Sequence, residues 1–211
     1  MDEDFMANPD DEWGLKSSAA SGFGALDDFG VHTMSLLMTL DLSIAKVMCH
    51  MTKPYATRKD AAGNDKAVET YDAATVLFEL ENGGNGTLQL NRSAWGRKGR
   101  IAVQIFGSKG SITYDQERMN EMHLYKAEGD VAGQGYTAIL AGPAHAPYDR
   151  FIPAPGHGLG FNDLKIIEVN EILKSLQGED RHLIDFEKGI AIESLVQTMA
   201  KSHKDSCWVS V

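Results

Sequence analysis

The feature that most constrains the fold is a series of short segments in which apolar and polar residues alternate. Turn signals separate these segments, among them Lys53-Pro54, Asn82-Gly83-Gly84-Asn85 and Gly107-Ser108-Lys109-Gly110. Alternation with a period of two is typical of half-buried strands, and short links rich in Gly and Asn are typical of hairpins. The sequence therefore predicts strands at 42–52, 73–81, 86–93, 100–106, 111–115, 122–126 and 207–211.

Three other segments repeat their apolar residues at helical spacing. The first covers 27–40, the second covers 161–176, and the third begins at Asp185, a suitable N-cap. The side chains expected to face the core are Leu164, Ile167, Ile172 and Leu173 in the second helix, and Ile190, Ile192, Leu195, Val196 and Met199 in the third. This order of elements indicates the α+β class, with an open, antiparallel-dominated mixed sheet and helices on one face.

The length of the chain predicts one domain. Its 211 residues, 43% of them apolar, suffice for a sizeable core, so residues 1–211 are expected to form a single domain. Residues 2–12 are expected to form an extended arm, and the Gly- and Pro-rich stretch 129–160 an irregular lid or binding loop. Helices cover one sheet face, so we expect a homo-oligomer, a dimer or a tetramer, that associates through the open face.

Charge and composition argue against several classes of partner. Thirty acidic against twenty basic residues give a net charge of -10, which disfavours nucleic acid and anionic membranes. No run approaches the roughly 20 apolar residues of a membrane span, and the acidic start lacks the features of a signal peptide, so a cytoplasmic location is expected. Cys49 and Cys207 show no CxxC spacing, and both are interpreted as small buried side chains.

Motifs for dinucleotides and metals are missing from the sequence. Gly22-Phe23-Gly24 lacks the third glycine of the GxGxxG fingerprint, and Gly156-His157-Gly158-Leu159-Gly160 has a different spacing. No HxH or HExxH pattern occurs, so no metal site is predicted. The histidines concerned are His50, His123, His145, His182 and His203.

Asp28 and His32 form the pattern with the clearest chemistry. They stand four residues apart, so on a helix they share one face, and a carboxylate beside an imidazole is a workable acid/base pair. Gly30 lies between them, which predicts that a sugar ring or a nicotinamide packs closely against this turn. On spacing alone, a solvated or capping pair is the commoner interpretation.

The surrounding run, GxGALxDxGxH after Trp13, resembles the signature that opens the C-terminal domain of Gfo/Idh/MocA oxidoreductases, a family that includes inositol dehydrogenases. The later order of segments, namely 72–93, 105–112, 162–176 and 185–201, is similar to that family as well. The resemblance implies a C-terminal domain like that of glyceraldehyde-3-phosphate dehydrogenase. It also implies that an N-terminal Rossmann domain, absent from this sequence, binds NAD or NADP.

The same resemblance implies roles for individual residues. Asp28 and His32 would be catalytic together with a lysine of the missing Rossmann domain. His32 would accept a hydroxyl proton as hydride leaves for the nicotinamide, and Asp28 would bind a neighbouring hydroxyl or orient His32. The residues expected to bind substrate are Asn91, Arg92 and Trp95, which match the substrate-facing region, and His157 in the long loop. Phe23 and Ser35 depart from the family pattern.

The sequence thus predicts the substrate domain of a dehydrogenase for a sugar or an inositol-like cyclic polyol. The isolated chain is expected to be inactive, and a sheet edge that lacks preceding residues is expected to fray. Two alternatives remain open. One is a non-catalytic module for sugar sensing or assembly, and the other is an NAD-dependent glycosidase on the same scaffold.

Overall fold

The secondary structure agrees closely with the alternating pattern of the sequence. The structure, a computed structural model, describes residues 1–154, 156–179, 181 and 183–211. The strands in this part of the chain are β1 Ile44–Thr52, β2 Thr57–Lys59, β3 Asp65–Ala67, β4 Ala73–Leu80, β5 Asn85–Asn91, β6 Ala102–Gly107, β7 Gly110–Asp115, β8 Glu121–Lys126, β9 Thr137–Leu140 and β10 Val209–Ser210. The α-helices are α1 Val31–Thr39, α2 Phe161–Leu176 and α3 Phe186–Asp205.

The chain divides into two units, Met1–Gly99 with Ile184–Val211, and Arg100–Leu183. In the first unit an antiparallel sheet runs in the order β10-β1-β4-β5, and β2 pairs with β3. In the second unit, β6 to β9 form an antiparallel meander in chain order. The α+β class is confirmed, but the strands form separate sheets. Among the described residues, parallel pairing is limited to isolated bridges such as Asp2 with Asn91.

The core of the first unit lies between its sheet and the helices α1 and α3. The side chains that α3 buries there are Ile192, Leu195, Val196, Met199 and Ala200. They pack with Val47, Cys49 and Met51 of β1 and Val76 of β4. Asp185 caps α3 as expected, since its carboxylate accepts the N–H of Lys188 at 2.8 Å.

Two expectations about buried residues in this unit were wrong. Ile190 is 71% exposed, because it lies on the side of α3 away from the sheet. Cys207 is exposed as well, whereas Cys49 is buried as expected.

The C-terminal end of α3 closes one edge of β1. The strand β10 pairs only with Lys46 and Val47, which leaves the later N–H groups of β1 to other acceptors. The hydroxyl of Ser202 accepts the N–H of Cys49 at 2.9 Å, and Nδ1 of His203 accepts the N–H of Met51 at 3.1 Å. Side chains of α3 therefore take the place of a neighbouring strand along this part of β1.

The N-terminal arm lies along the opposite edge of the sheet. The N–H of Glu3 donates to the carbonyl of Asn91, and the N–H of Met6 donates to that of Arg92, both at 2.9 Å. The buried guanidinium of Arg58 donates to the carbonyls of Met6 and Asn8 at 2.6 Å. This edge is therefore paired and held in place, and the expectation that it frays was wrong.

The second unit departs from the predicted pattern in two places. The stretch 129–160 contains the strand β9, and Asn120 anchors this stretch by exchanging two hydrogen bonds with the backbone of Leu159, at 2.7 and 3.0 Å. The helix α2 has the predicted bounds but buries none of its side chains, and Ile172 and Leu173 are 43% and 54% exposed. Their predicted inward orientation was wrong.

The predicted helix at 27–40 begins differently from an ordinary α-helix. Residues Leu26–Gly30 form a π-helical turn that continues directly into α1. Gly30 is buried in the core, where a Cβ would lie 3.6 Å from Leu90 and 4.0 Å from Val196. The close neighbours of Gly30 are therefore core side chains rather than the sugar or nicotinamide that the sequence suggested. None of the helices described is long and apolar enough to cross a membrane.

Candidate functional site

A glycine turn before the π-helical segment positions the candidate site. Gly22 and Gly24 have φ angles of +93° and +99°, a region in which residues with a Cβ are strained. The carboxylate of Asp27 accepts hydrogen bonds from the N–H groups of Phe23 and Gly24, and these bonds stabilise the turn. The turn is also joined to Tyr71, whose N–H donates to Phe23 at 2.9 Å and whose carbonyl accepts from Ala25 at 2.8 Å.

Asp28 follows this turn and is held by two cations. Its Oδ2 accepts from Nη1 of Arg92 at 2.7 Å, and its Oδ1 accepts from the ammonium of Lys16. The side chain of Asp28 is 21% exposed, whereas that of Arg92 is 1% exposed. Asp28 thus lies at the boundary between the buried Arg92 and the surface.

The guanidinium of Arg92 is surrounded by acceptors from several segments. Its Nε donates to Oδ1 of Asp72 at 3.1 Å, and its Nη2 donates to that same oxygen and to the hydroxyl of Thr70 at 3.1 Å. Nη2 also donates to the carbonyl of Lys16 at 3.2 Å. Arg92, Asp72 and Thr70 are buried, and we call these three residues the buried cluster.

The two neighbouring carboxylates differ in their electrostatics. Burial by itself raises the pKa of Asp28, but the hydrogen bonds from Lys16 and Arg92 outweigh it, so the net pKa lies below the ordinary value. For Asp27, burial outweighs the hydrogen bonds from the backbone of Phe23 and Gly24, and its pKa is raised. The cations beside Asp28 therefore favour its ionised form, whereas burial disfavours the ionised form of Asp27.

His32 lies in the first turn of α1, four residues after Asp28, and its side chain is exposed. Its own carbonyl accepts the hydroxyl of Ser35 at 2.8 Å. Because each oxygen of Asp28 already accepts a charged hydrogen bond, that carboxylate is engaged by cations rather than by the imidazole. The ring of His32 is accessible to a ligand that approaches from solvent.

The residues predicted to bind substrate lie in different surroundings. Arg92 does not present its guanidinium at the surface, because the buried cluster and Asp28 enclose it. Asn91, at the end of β5, is partly buried, and its side-chain oxygen accepts the N–H of Ser93 at 2.8 Å. Trp95 is 68% exposed in the first unit, and His157 is exposed in the second unit. Roles for Asn91, Trp95 and His157 stay predictions.

The sequence interpretation missed three residues of the site, Lys16, Thr70 and Asp72. They approach Arg92 and Asp28 from positions 12 to 76 residues away in the chain. A threonine and an aspartate just before a strand, and a lysine in a single 3-10 turn, carry no local motif. These residues meet in the folded chain because the buried guanidinium of Arg92 requires charged and polar partners.

The second unit has a shallow cavity of about 360 Å³ on one face of its sheet. Its lining consists of Thr113, Tyr114, Asp115, Arg118, Glu121, His123 and Tyr136. The charged side chains there are paired, Arg100 with Asp115 at 2.7 Å and Arg118 with Glu121 at 2.5 Å. Neither Asp28 nor His32 lies there, and we place the candidate site in the first unit.

No three metal-ligating side chains come together in the described part of the chain. His182, one of the histidines considered, lies outside the described residues.

The chain is similar to known proteins in family, sequence and fold. The family model described as the GFO/IDH/MocA C-terminal domain matches residues 1–113. A levoglucosan dehydrogenase of Pseudarthrobacter phenanthrenivorans is 25% identical over 224 residues, which cover 99% of this chain and 57% of that protein. The chain thus spans little more than half the length of this relative.

Two solved structures have nearly the same fold. An NAD binding oxidoreductase from Klebsiella pneumoniae superposes with a TM-score of 0.93 at 28% identity, covering 100% of this chain and 57% of that one. A levoglucosan dehydrogenase in complex with NADH and L-sorbose superposes with a TM-score of 0.94 at 25% identity, covering 100% and 56%. The fold of this chain is therefore that of one part of longer dehydrogenases.

Proposed function

The chain belongs to the Gfo/Idh/MocA oxidoreductase family as its C-terminal domain, and from this we propose that it is the substrate domain of an NAD-dependent sugar dehydrogenase. The observation that carries the proposal is an exposed imidazole, His32, one helical turn after a carboxylate that two cations keep ionised. An imidazole that can act as a proton acceptor, beside a fixed acceptor for hydroxyls, suits the oxidation of a polyol.

In the proposed reaction, His32 accepts the proton of the reacting hydroxyl group. The electron pair of that O–H bond forms the carbonyl bond, and the hydrogen on the same carbon leaves as hydride. A bound nicotinamide would supply the acceptor for this hydride. Asp28 accepts a hydrogen bond from a neighbouring hydroxyl and so orients the ring of the substrate. The catalytic lysine implied by the family resemblance belongs to the Rossmann domain of the parent protein.

Cofactor binding is best assigned to that same Rossmann domain. A glycine-rich turn before a helix binds phosphate through free backbone N–H groups. In this chain the N–H groups of Phe23 and Gly24 are taken by the carboxylate of Asp27. The glycine turn therefore does not fit a pyrophosphate, whereas Asp28 and His32 fit proton transfer and hydroxyl binding. The NADH complex of the levoglucosan dehydrogenase supports NAD rather than NADP as the cofactor.

We also propose that the first sheet associates with a second copy of the chain through its uncovered face. On that face Met48, Leu77 and Thr87 are paired across β1, β4 and β5, and Met48 and Leu77 are 37% and 43% exposed. Lys46 and Glu79 form an ion pair beside this row, at 2.9 Å. Two partly exposed apolar side chains beside an ion pair suit a symmetric contact between identical subunits.

The function is tested in the parent protein, meaning the longer dehydrogenase in which this chain is proposed to be joined to a Rossmann domain. Levoglucosan, L-sorbose and myo-inositol are incubated with NAD, and NADH is measured by its absorbance. We expect oxidation of at least one of them and a decrease in kcat of about 100-fold or more in His32→Ala, because general base catalysis contributes about that factor. His145→Ala, which alters an exposed histidine of the second unit, is the matched control.

Three results would contradict the proposal. The first is unchanged oxidation in His32→Ala, which favours a sensing or assembly module. The second is release of a sugar from a glycoside without net formation of NADH, which favours the glycosidase. The third is robust NADH formation by residues 1–211 alone, because this chain is proposed to lack both the lysine and the cofactor site.

A further inference from the structure

Lys16 is held in place at both of its ends. Its carbonyl accepts the hydroxyl of Thr70 at 2.8 Å and Nη2 of Arg92 at 3.2 Å, and both donors are buried. Its ammonium contacts Oδ1 of Asp28. The buried cluster thus fixes the backbone of Lys16 and, through Arg92, the carboxylate that its side chain reaches.

Stability does not explain this arrangement. The side chain of Lys16 is 51% exposed, and ion pairs this exposed contribute little to the free energy of unfolding. The buried cluster under it is expensive, because charges lose their hydration on burial. In addition, Oδ2 of Asp72 is buried and has no hydrogen-bond partner in the described part of the chain. A buried charged cluster beneath a half-exposed lysine and a carboxylate at the surface boundary is a candidate functional site.

The ammonium of Lys16 and the carboxylate of Asp28 together match a pair of neighbouring hydroxyls. The ammonium of Lys16 has three N–H donors and uses one on Asp28, so donors remain for a ligand. The carboxylate of Asp28 has lone pairs beyond those used by Lys16 and Arg92. A vicinal diol can therefore donate from one hydroxyl to Asp28 and accept at the neighbouring oxygen from Lys16.

We propose that Lys16 is a substrate-contacting residue that binds the hydroxyl next to the one bound by Asp28, and that Arg92 is the positioning residue for both side chains. This inference rests on the proposed sugar dehydrogenase function. It adds a cation from this chain to the site, separate from the lysine implied in the Rossmann domain. It also gives Arg92, which is enclosed, a role that does not require contact with the substrate.

The experiment compares Lys16→Met, Lys16→Arg and Lys59→Met in the parent protein, with levoglucosan and its 2-, 3- and 4-deoxy analogues as substrates. Lys59 is the matched control, because it also pairs with an aspartate, Asp65 at 2.9 Å, but on the exposed β2–β3 hairpin. We expect Lys16→Met to lower kcat/KM for levoglucosan about 10- to 100-fold, mainly through KM, since a charged hydrogen bond to the substrate is lost. Lys16→Arg is expected to recover part of the loss.

The deoxy analogues separate a substrate contact from a structural role. If Lys16 binds one hydroxyl, the wild-type protein has a lower kcat/KM for the analogue that lacks this hydroxyl than for levoglucosan. In Lys16→Met, the kcat/KM values for that analogue and for levoglucosan are then equal. An unchanged kcat/KM in Lys16→Met, or an equal loss with every analogue, overturns the inference.

A parent protein that oxidises no sugar contradicts the proposed function, and the inference is then decided by NMR on the 211-residue chain. A shift of the Lys16 Cε resonance on addition of levoglucosan, without a shift at Lys59, supports it. No shift at Lys16 at saturating levoglucosan overturns it.

Discussion

At the scale of single residues, Gly24 combines a positive φ with a close approach of neighbouring backbone. Its φ is +99°, and a Cβ there would lie 2.4 Å from the carbonyl oxygen of Tyr71 and 2.9 Å from Nη2 of Arg92. Relief of these contacts requires a shift of backbone or of the buried cluster. The glycine turn therefore serves the close approach of two chain segments beneath Asp28.

We expect Gly24→Ala to lower the free energy of unfolding of the chain by about 2 kcal/mol or more, from backbone strain and overpacking together. Urea denaturation measures it. Gly14→Ala is the control, because Gly14 has a φ of -138° and a Cβ added there would meet no neighbouring atom within 4 Å. Equal stabilities of the two variants would show that the turn tolerates a side chain.

The charge state of Asp28 makes a second prediction at this scale. Its pKa in the folded chain is lowered, so the stabilisation from its ionised form is present above the unfolded value of about 3.9 and is lost as the pH falls through the folded value. The difference in unfolding free energy between wild type and Asp28→Asn should therefore be largest near pH 7 and should shrink below about pH 4.

Denaturant titrations at several pH values measure this difference. Asp65→Asn is the control, because Asp65 and its partner Lys59 are 66% and 58% exposed and their pair should contribute little at any pH. If the difference in unfolding free energy between wild type and Asp28→Asn stays constant down to pH 3, the ionised form of Asp28 does not stabilise the folded chain.

At the scale of secondary-structure elements, the hydrogen bonds between side chains of α3 and the edge of β1 have the clearest effect on stability. The hydroxyl of Ser202 accepts from Cys49 and donates to the carbonyl of Cys207 at 2.6 Å, so one buried side chain joins β1 to the segment after α3. Removal of this hydroxyl leaves a buried backbone N–H without an acceptor, which is costly.

We expect Ser202→Ala to lower the free energy of unfolding by about 1 to 3 kcal/mol. Thr198→Ala is the matched control one turn earlier, since its exposed hydroxyl bonds only to the carbonyl of Ser194 in its own helix, at 2.8 Å. The control should change by less than about 0.5 kcal/mol. A similar effect of the two substitutions in urea denaturation would mean that the edge of β1 is satisfied in another way.

At the scale of the whole molecule, the proposed contact between copies predicts a specific dependence on the open sheet face. We expect the 211-residue chain to elute as a dimer or a larger oligomer at micromolar concentration, and Leu77→Glu to shift it towards monomer. Leu15→Glu, at a residue 70% exposed on a different segment, is the control and should leave the mass unchanged. Size-exclusion chromatography with light scattering measures the mass, and a strict monomer for the wild-type chain contradicts the proposal.

The sequence by itself determined which segments become strands and helices in most of the chain. The bounds of α2 and the N-cap of α3 were correct, because helical periodicity and capping are local properties. The short strands β2, β3 and β9 escaped detection, because each has only three or four residues and takes its stability from pairing rather than from its own pattern. The exposure of the apolar side chains of α2 could not be predicted from the sequence either, because helical periodicity does not identify the surface that covers an apolar stripe.

For the site, the sequence by itself determined that Asp28 and His32 stand about one helical turn apart, because four residues separate them within a helical segment. Only the tertiary structure decided that Arg92 is enclosed, and that Lys16, Thr70 and Asp72 meet it from distant segments. The physical reason is that a buried guanidinium must find charged and polar partners in space, wherever they stand in the chain. Within the buried cluster, Arg92 is far from Thr70 and Asp72 in the sequence, and only folding brings them together.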